Sequence, residues 1–157
     1  MIQQRTGDLL EVEFDGKFYY LVVLTKIVMF GGNIVFAFHG DGAQRHIGSL
    51  TSDAPGFNIC TDLRMPKKEG TIRRLDSVAD TTAFWRTRLV KSPADRRPRR
   101  WMRTWYIYSV DDLRNHTETR IWLRGKYAAA MDSGMHSFDL VAAKILDSYA
   151  PDKNPLL

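Results

Sequence analysis

The stretch GDLLEVEFDGKFYYLVVL, Gly7 to Leu24, decides how this chain folds. In its first half Leu10, Val12 and Phe14 alternate with Glu11 and Glu13, the period-two pattern of a strand with one apolar and one solvated face. Asp15-Gly16 follows, a pair suited to a two-residue turn because glycine accepts positive φ without steric cost. The run FYYLVVLTK is apolar at consecutive positions, which predicts a central strand covered on both faces.

Working outward, Gly31-Gly32 offers a second tight turn before NIVFAF, so the first forty residues predict a three-strand meander. Such a meander suits a small, strongly bent sheet of the SH3-like kind. HGDGAQRHIGSLTSDAPG is loop by composition, and FNIC and GTIRRL are short strand candidates. SVADTTAFWRTRLV leaves a short helix and an irregular connection equally open, and SPADRRP, between Pro93 and Pro98, is loop. WMRTWYIYSV is aromatic and β-branched enough for a strand, with Trp105 and Ile107 on a buried face. Ser109, Asp111 and Asp112 suit the start of a helical turn. TRIWLRGKY predicts a strand with Ile121 and Leu123 inward and Arg120, Trp122 and Arg124 outward.

Phe138, Val141, Ala142, Ile145, Leu146 and Tyr149 recur at helical spacing, with Ser137 as N-cap and Pro151 as stop. The expected fold class is α+β: a bent antiparallel β-sheet, an SH3-like meander or half-barrel, with a C-terminal amphipathic helix at about 137–149 packed on it. The 157 residues are expected to form one domain, 1–157, with a basic loop at about 91–100.

Hydrophobic residues at 44% and charged residues at 26% argue against a largely disordered chain. One cysteine, Cys60, excludes an internal disulfide and any multi-cysteine metal site, and its apolar setting suits an inert thiol. The N-terminus lacks the pattern of a signal peptide, and the run FYYLVVL is too short to span a bilayer. We therefore expect a cytoplasmic protein with no membrane partner.

The net charge of +5 is unevenly spread. Arg86, Arg88, Lys91, Arg96, Arg97, Arg99, Arg100 and Arg103 stand against one acid, Asp95, so residues 86–103 carry +7 and the others sum to −2. The chain is near neutral with one basic island.

No chemistry-bearing motif appears. His39 and His46 flank a glycine-rich loop but lack the third convergent ligand a metal needs, and His116 and His136 stand alone in polar turns. GDG at 40–42 and FGGN at 30–33 match neither a P-loop nor a dinucleotide fingerprint. No nucleophile elbow exists. We expect no catalytic residue, no metal and no cofactor, and a binding role instead.

The basic-aromatic island supports two kinds of binding. Arginines on phosphates and tryptophans on bases make a nucleic-acid surface from Arg96, Arg97, Arg99, Arg100, Trp101 and Arg103. Arg and Trp are equally the residues enriched at protein-docking hot spots, and Arg120, Trp122 and Arg124 would add a second arginine-framed tryptophan. A plain solvated loop, with its tryptophans in the core, is the third possibility.

The opening hairpin also resembles the start of the Imm26 family of bacterial immunity proteins from polymorphic-toxin and contact-dependent growth inhibition systems. Gly7-Asp8, the apolar strand, Asp15-Gly16-Lys17 and the aromatic Phe18, Tyr19 and Tyr20 carry that resemblance over about a fifth of the chain. It implies a small cytoplasmic protein without catalysis that neutralises a cognate toxin protein. Docking would then use an acidic toxin surface against Arg96 to Arg103, or the acidic strand face of Glu11, Glu13 and Asp15. The alternative is an SH3-like nucleic-acid-binding module acting through residues 96–103.

Overall fold

The computed structural model describes residues 4–27, 31–64, 70–94 and 104–153. They divide into two compact units: Met1–Arg86 with Met135–Tyr149, and Thr87–Gly134 with Ala150–Leu157. Antiparallel and mixed β-sheet dominates, with one short C-terminal α-helix, an α+β composition.

The first unit is a five-stranded sheet. Strands β1 (Asp8–Phe14), β2 (Lys17–Ile27), β3 (Gly32–Phe38) and β4 (Gly56–Thr61) form a meander, and β5 (Gly70–Ser77) returns to the free side of β1. Every neighbouring pair is antiparallel. The β1–β2 hairpin closes through Asp15 at φ 50° and Gly16 at φ 67°, both left-handed, as a type I′ turn requires. Phe14 then pairs with Lys17, and this register puts Leu10 opposite Leu21 and Val12 opposite Tyr19.

Gly7, just before β1, sits at φ 91°. Its N–H donates to the Val23 carbonyl at 2.8 Å and its carbonyl accepts from Val78 at 2.7 Å, so it ties β2 to the end of β5. A side chain there would collide with the Val78 carbonyl, so only glycine fits. Asp8 follows, accepting the Arg5 N–H at 2.8 Å and facing Arg74 at 3.6 Å.

Tyr19 to Leu24 of β2 are all buried, as a doubly covered central strand requires. On one face Leu10, Val12, Tyr19, Leu21, Val23, Val35, Phe57 and Ile59 meet Phe138, Val141, Ala142 and Ile145 of α1 (Phe138–Leu146). Each such side chain contributes about 1.5–3 kcal/mol by leaving water. On the other face Phe36, Phe38 and Phe84 pack edge to face, with ring centroids 4.9–6.1 Å apart. Phe84 comes from a 3₁₀ turn, Thr82–Phe84, within the segment that composition left open. Asn58 Nδ2 donates to the Phe84 carbonyl at 3.0 Å and holds that turn down.

This second covered face corrects one expectation. Glu11 is not on a solvated face: it is 6% exposed, because Tyr20, Arg73 and the chain near Arg45 close over it. Glu13 and Asp15 are exposed, as predicted.

The helix is shorter than the expected 137–149. Ser137 occupies the N-cap with extended backbone, though its side chain makes no capping bond. At the other end Ser148 turns to φ 50°, its N–H reaching the Ile145 carbonyl at 3.2 Å and that of Tyr149 the Lys144 carbonyl at 2.9 Å. These are the two bonds of a Schellman motif, which stops the helix before Pro151. Tyr149 still packs on Phe57, centroids 5.2 Å apart, from beyond the helix.

In the second unit the sheet order is β8-β7-β6-β9, from β6 (Leu89–Pro93), β7 (Trp105–Ser109), β8 (Asp112–Arg120) and β9 (Met131–Asp132). β9 runs parallel to β6 and the other pairs are antiparallel. Trp105 and Ile107 are buried, as their alternation predicts. Val110 and Asp111 turn β7 into β8, so this stretch does not begin a helix. Lys91, expected in a basic loop, lies in β6 and is 0% exposed. Its Nζ donates to the carbonyls of Ala128 at 2.6 Å and Pro151 at 3.0 Å, with Asp132 Oδ1 at 3.7 Å. Among the described residues no helix is long and apolar enough to cross a membrane.

Candidate protein-docking surface

Pro93 pairs with Trp105, and Trp105 pairs in turn with Arg120. Just beyond, the Ala94 N–H and the Thr104 carbonyl approach across the two strands, 2.8 Å apart. Ala94 and Thr104 therefore lie at the sheet end where β8 stops. Arg96, Arg97, Arg99, Arg100, Trp101 and Arg103 lie outside the described residues.

Past Arg120 the expected strand TRIWLRGKY does not form. β7 begins at Trp105, so Arg120 is the last residue of β8 with a partner on that strand. The chain bends at Ile121 and Trp122 and enters a 3₁₀ turn at Gly125–Tyr127, with Gly125 at φ 54°. Ile121 consequently points outward, 53% exposed, and Trp122 is 68% exposed.

The bend stands on a closed triangle of side chains. The Arg120 guanidinium donates to Glu118 Oε2 and, at 2.8 Å, to the Tyr127 hydroxyl. That hydroxyl donates to the Glu118 carboxylate at 2.9 Å. The Arg120 guanidinium also lies 4.3 Å from the Tyr127 ring centroid, a cation–π contact. Hydrogen bonds from Arg120 and then Tyr127 hold the Glu118 carboxyl below the usual range, so it stays ionised. Arg120 is thus a brace, while Arg124 and Lys126 beside it are exposed.

Among the described residues of the island, the cations Arg86, Arg88 and Lys91 serve the fold. Arg86 donates to the carbonyls of Ala83 at 2.8 Å and Ser52 at 2.6 Å, and lies 4.7 Å over the Phe36 ring. Arg88 pairs with Asp111 at 2.6 Å, and Lys91 is caged. Counted by unit, the second one nevertheless holds twelve Lys and Arg against six Asp and Glu, or +6, and the first holds eleven against twelve, or −1.

The acidic candidates separate. Tyr20 donates its hydroxyl to Glu11 Oε2 at 2.9 Å and Arg73 pairs with Oε1 at 2.7 Å, so Glu11 is committed to the sheet. Glu13 and Asp15 remain on the surface of the first unit. His39 Nε2 lies 2.9 Å from the Tyr149 carbonyl, and His46 Nδ1 accepts from Gly48 at 3.1 Å to cap a 3₁₀ turn. His116 stacks on Tyr106, centroids 4.6 Å apart. Among the described residues no three His, Cys, Asp or Glu gather as a metal ion would need. Cys60 is partly buried in β4, and burial followed by the nearby Asp62 pushes its thiol up to about 11.

Sequence reasoning missed Glu118 and Tyr127. Glu118 two residues before Arg120 was a signal that these side chains share a strand face, but nothing in the order of residues marks Tyr127 as their third partner. No protein-family model, no curated protein and no solved structure matches this chain.

Proposed function

We propose that this chain is a non-enzymatic immunity protein that binds and neutralises a toxin domain in the cytoplasm of the bacterium making it. One observation carries the protein-docking part of this reading. An exposed Ile121-Trp122 pair, braced by the Arg120–Glu118–Tyr127 contacts, shares a sheet end with Ala94 and Thr104, the residues that flank the five arginines in sequence. The Gly7-Asp8 opening and its type I′ hairpin, the features of the Imm26 resemblance, support the toxin-directed part. We also read the five-stranded sheet as SH3-like, on the strength of its four-strand meander with β5 returning to β1.

The test is co-purification with a toxin domain encoded next to the gene, together with growth rescue when the two are co-expressed. A neighbouring gene product that kills equally well with and without this chain refutes the reading.

The alternative, a nucleic-acid-binding module, draws on the same arginines. Arg86, Arg88 and Lys91, which would extend its basic track, are spent on carbonyls and a carboxylate within the fold. Phosphate-driven binding must weaken steeply between about 50 and 200 mM salt. Binding with that dependence, and no toxin capture, selects the module.

A further inference from the structure

We infer that Trp122, with Ile121 beside it, is the anchor of the docking surface, and that its receptor is an apolar socket rimmed by carboxylates on the toxin domain. The inference rests on the immunity reading above and names the chemistry of that site.

The sequence around the anchor already uses its local charge. Glu118, the acid nearest the bend in sequence, is held by Arg120 and Tyr127, so it offers little repulsion to an incoming carboxylate. Arg124 and Lys126 are exposed on the same connection, and their unit carries the whole positive excess of the chain. An acidic rim is the complement of that field, and complementary charge of this kind sets encounter rate and orientation.

Just before those cations in the chain, Ile121 and Trp122 are the two large hydrophobics of the second unit described as exposed. A tryptophan can bury roughly 150–250 Å², enough to dominate a small interface, and it does so best in a dry pocket. A bilayer is a poorer fit, since Leu123 next in line is half-buried and the apolar contact ends after two residues. A nucleic acid would use the Trp122 ring for stacking but has no place for Ile121.

The brace explains why the anchor is presented rather than folded back. Arg120 is fixed by three hydrogen bonds and a ring contact one residue before the bend, so the backbone entering Ile121 has little freedom. A preorganised anchor loses less entropy on docking than a mobile one.

The toxin domain encoded beside the gene is titrated by biolayer interferometry with the wild-type chain, Trp122→Ala, and Arg124→Glu/Lys126→Glu. Trp122 is exposed, so its removal leaves the fold intact, and a melting curve checks this. We expect Trp122→Ala to weaken binding at least about 30-fold, mainly through faster dissociation. The charge reversal should mainly slow association. Capture of the toxin with Trp122→Ala within about threefold of wild type overturns the anchor while the immunity reading stands. If wild type captures no toxin, the immunity reading and the anchor fall together. Trp122-dependent binding to phosphatidylglycerol vesicles or to an oligothymidylate, without toxin binding, replaces the protein socket with a lipid or a nucleic acid.

Discussion

Tyr20 and Glu11 stand directly opposite each other on β2 and β1, and the Tyr20 hydroxyl donates to the Glu11 carboxylate at 2.9 Å. Arg73 is opposite Glu11 on the other side, on β5, and pairs with it at 2.7 Å. Three neighbouring strands are thereby locked in one register by a single row of side chains.

Glu11→Ala removes the middle of that row and leaves a buried phenol without its acceptor. We expect a loss of about 3 kcal/mol in urea unfolding, and a smaller loss of about 1–2 kcal/mol for Glu11→Gln, which keeps an acceptor. Equal losses for the two would mean that the carboxylate geometry is irrelevant to the sheet.

Tyr20 should also make the fold sensitive to alkali. Burial, aided by the Glu11 carboxylate, raises its ionisation above the ordinary 10.0 despite the opposing Arg45 N–H. Since the folded state holds this proton more tightly than the unfolded one, the contribution is complete below pH 10.0 and is lost as pH rises through the folded value. Unfolding curves of wild type and Tyr20→Phe between pH 8 and 11 (roughly the phenol range) should therefore diverge at the alkaline end. Parallel curves would assign any alkaline loss to other groups.

Gly7 and Gly16 both have positive φ but differ in what surrounds them. An added Cβ at Gly7 meets the Val78 carbonyl, whereas at Gly16 it meets nothing within 4 Å. Gly16→Ala should cost about 1 kcal/mol, the penalty of left-handed backbone alone. Gly7→Ala adds a backbone clash and should cost at least about 3 kcal/mol, read as a falling denaturation midpoint. A Gly7→Ala protein as stable as Gly16→Ala would contradict the close approach of β5.

Lys91 is a buried cation enclosed by two carbonyls and Asp132. Lys91→Met keeps the stem volume but strands those acceptors, for about 1–3 kcal/mol. Lys91→Ala adds a cavity and should reach about 3–5 kcal/mol. Thermal unfolding ranks the pair, and a Lys91→Ala variant as stable as wild type would show that the cage contributes nothing.

Much of the fold could be read along the chain because its determinants are local. The Asp15-Gly16 turn and the apolar run from Tyr19 to Leu24 each act within a few residues and took their expected form, whereas the Leu10, Val12 and Phe14 alternation gave the strand but not its solvated side, since Glu11 is buried. The α1 stripe of Phe138, Val141, Ala142 and Ile145 was legible for the same reason, although Ser148 ended the helix earlier than Pro151 would have. The site was less legible. Trp122 was expected to be outward and is, but Ile121 was expected to be inward and is not, because β7 supplies no partner beyond Arg120.

The Asp15-Gly16 turn, the central strand, the amphipathic helix and the clustering of cations follow from residue order, since periodicity and glycine chemistry need no distant partner. Tertiary structure alone decided which charges are free. Glu11 is buried because Tyr20 and Arg73 of the neighbouring strands and the chain near Arg45 close over it, and Lys91 because distant carbonyls from Ala128 and Pro151 close on it. The same non-local register puts the Ala94–Thr104 closure beside Arg120 and leaves Trp122 facing outward at that sheet end.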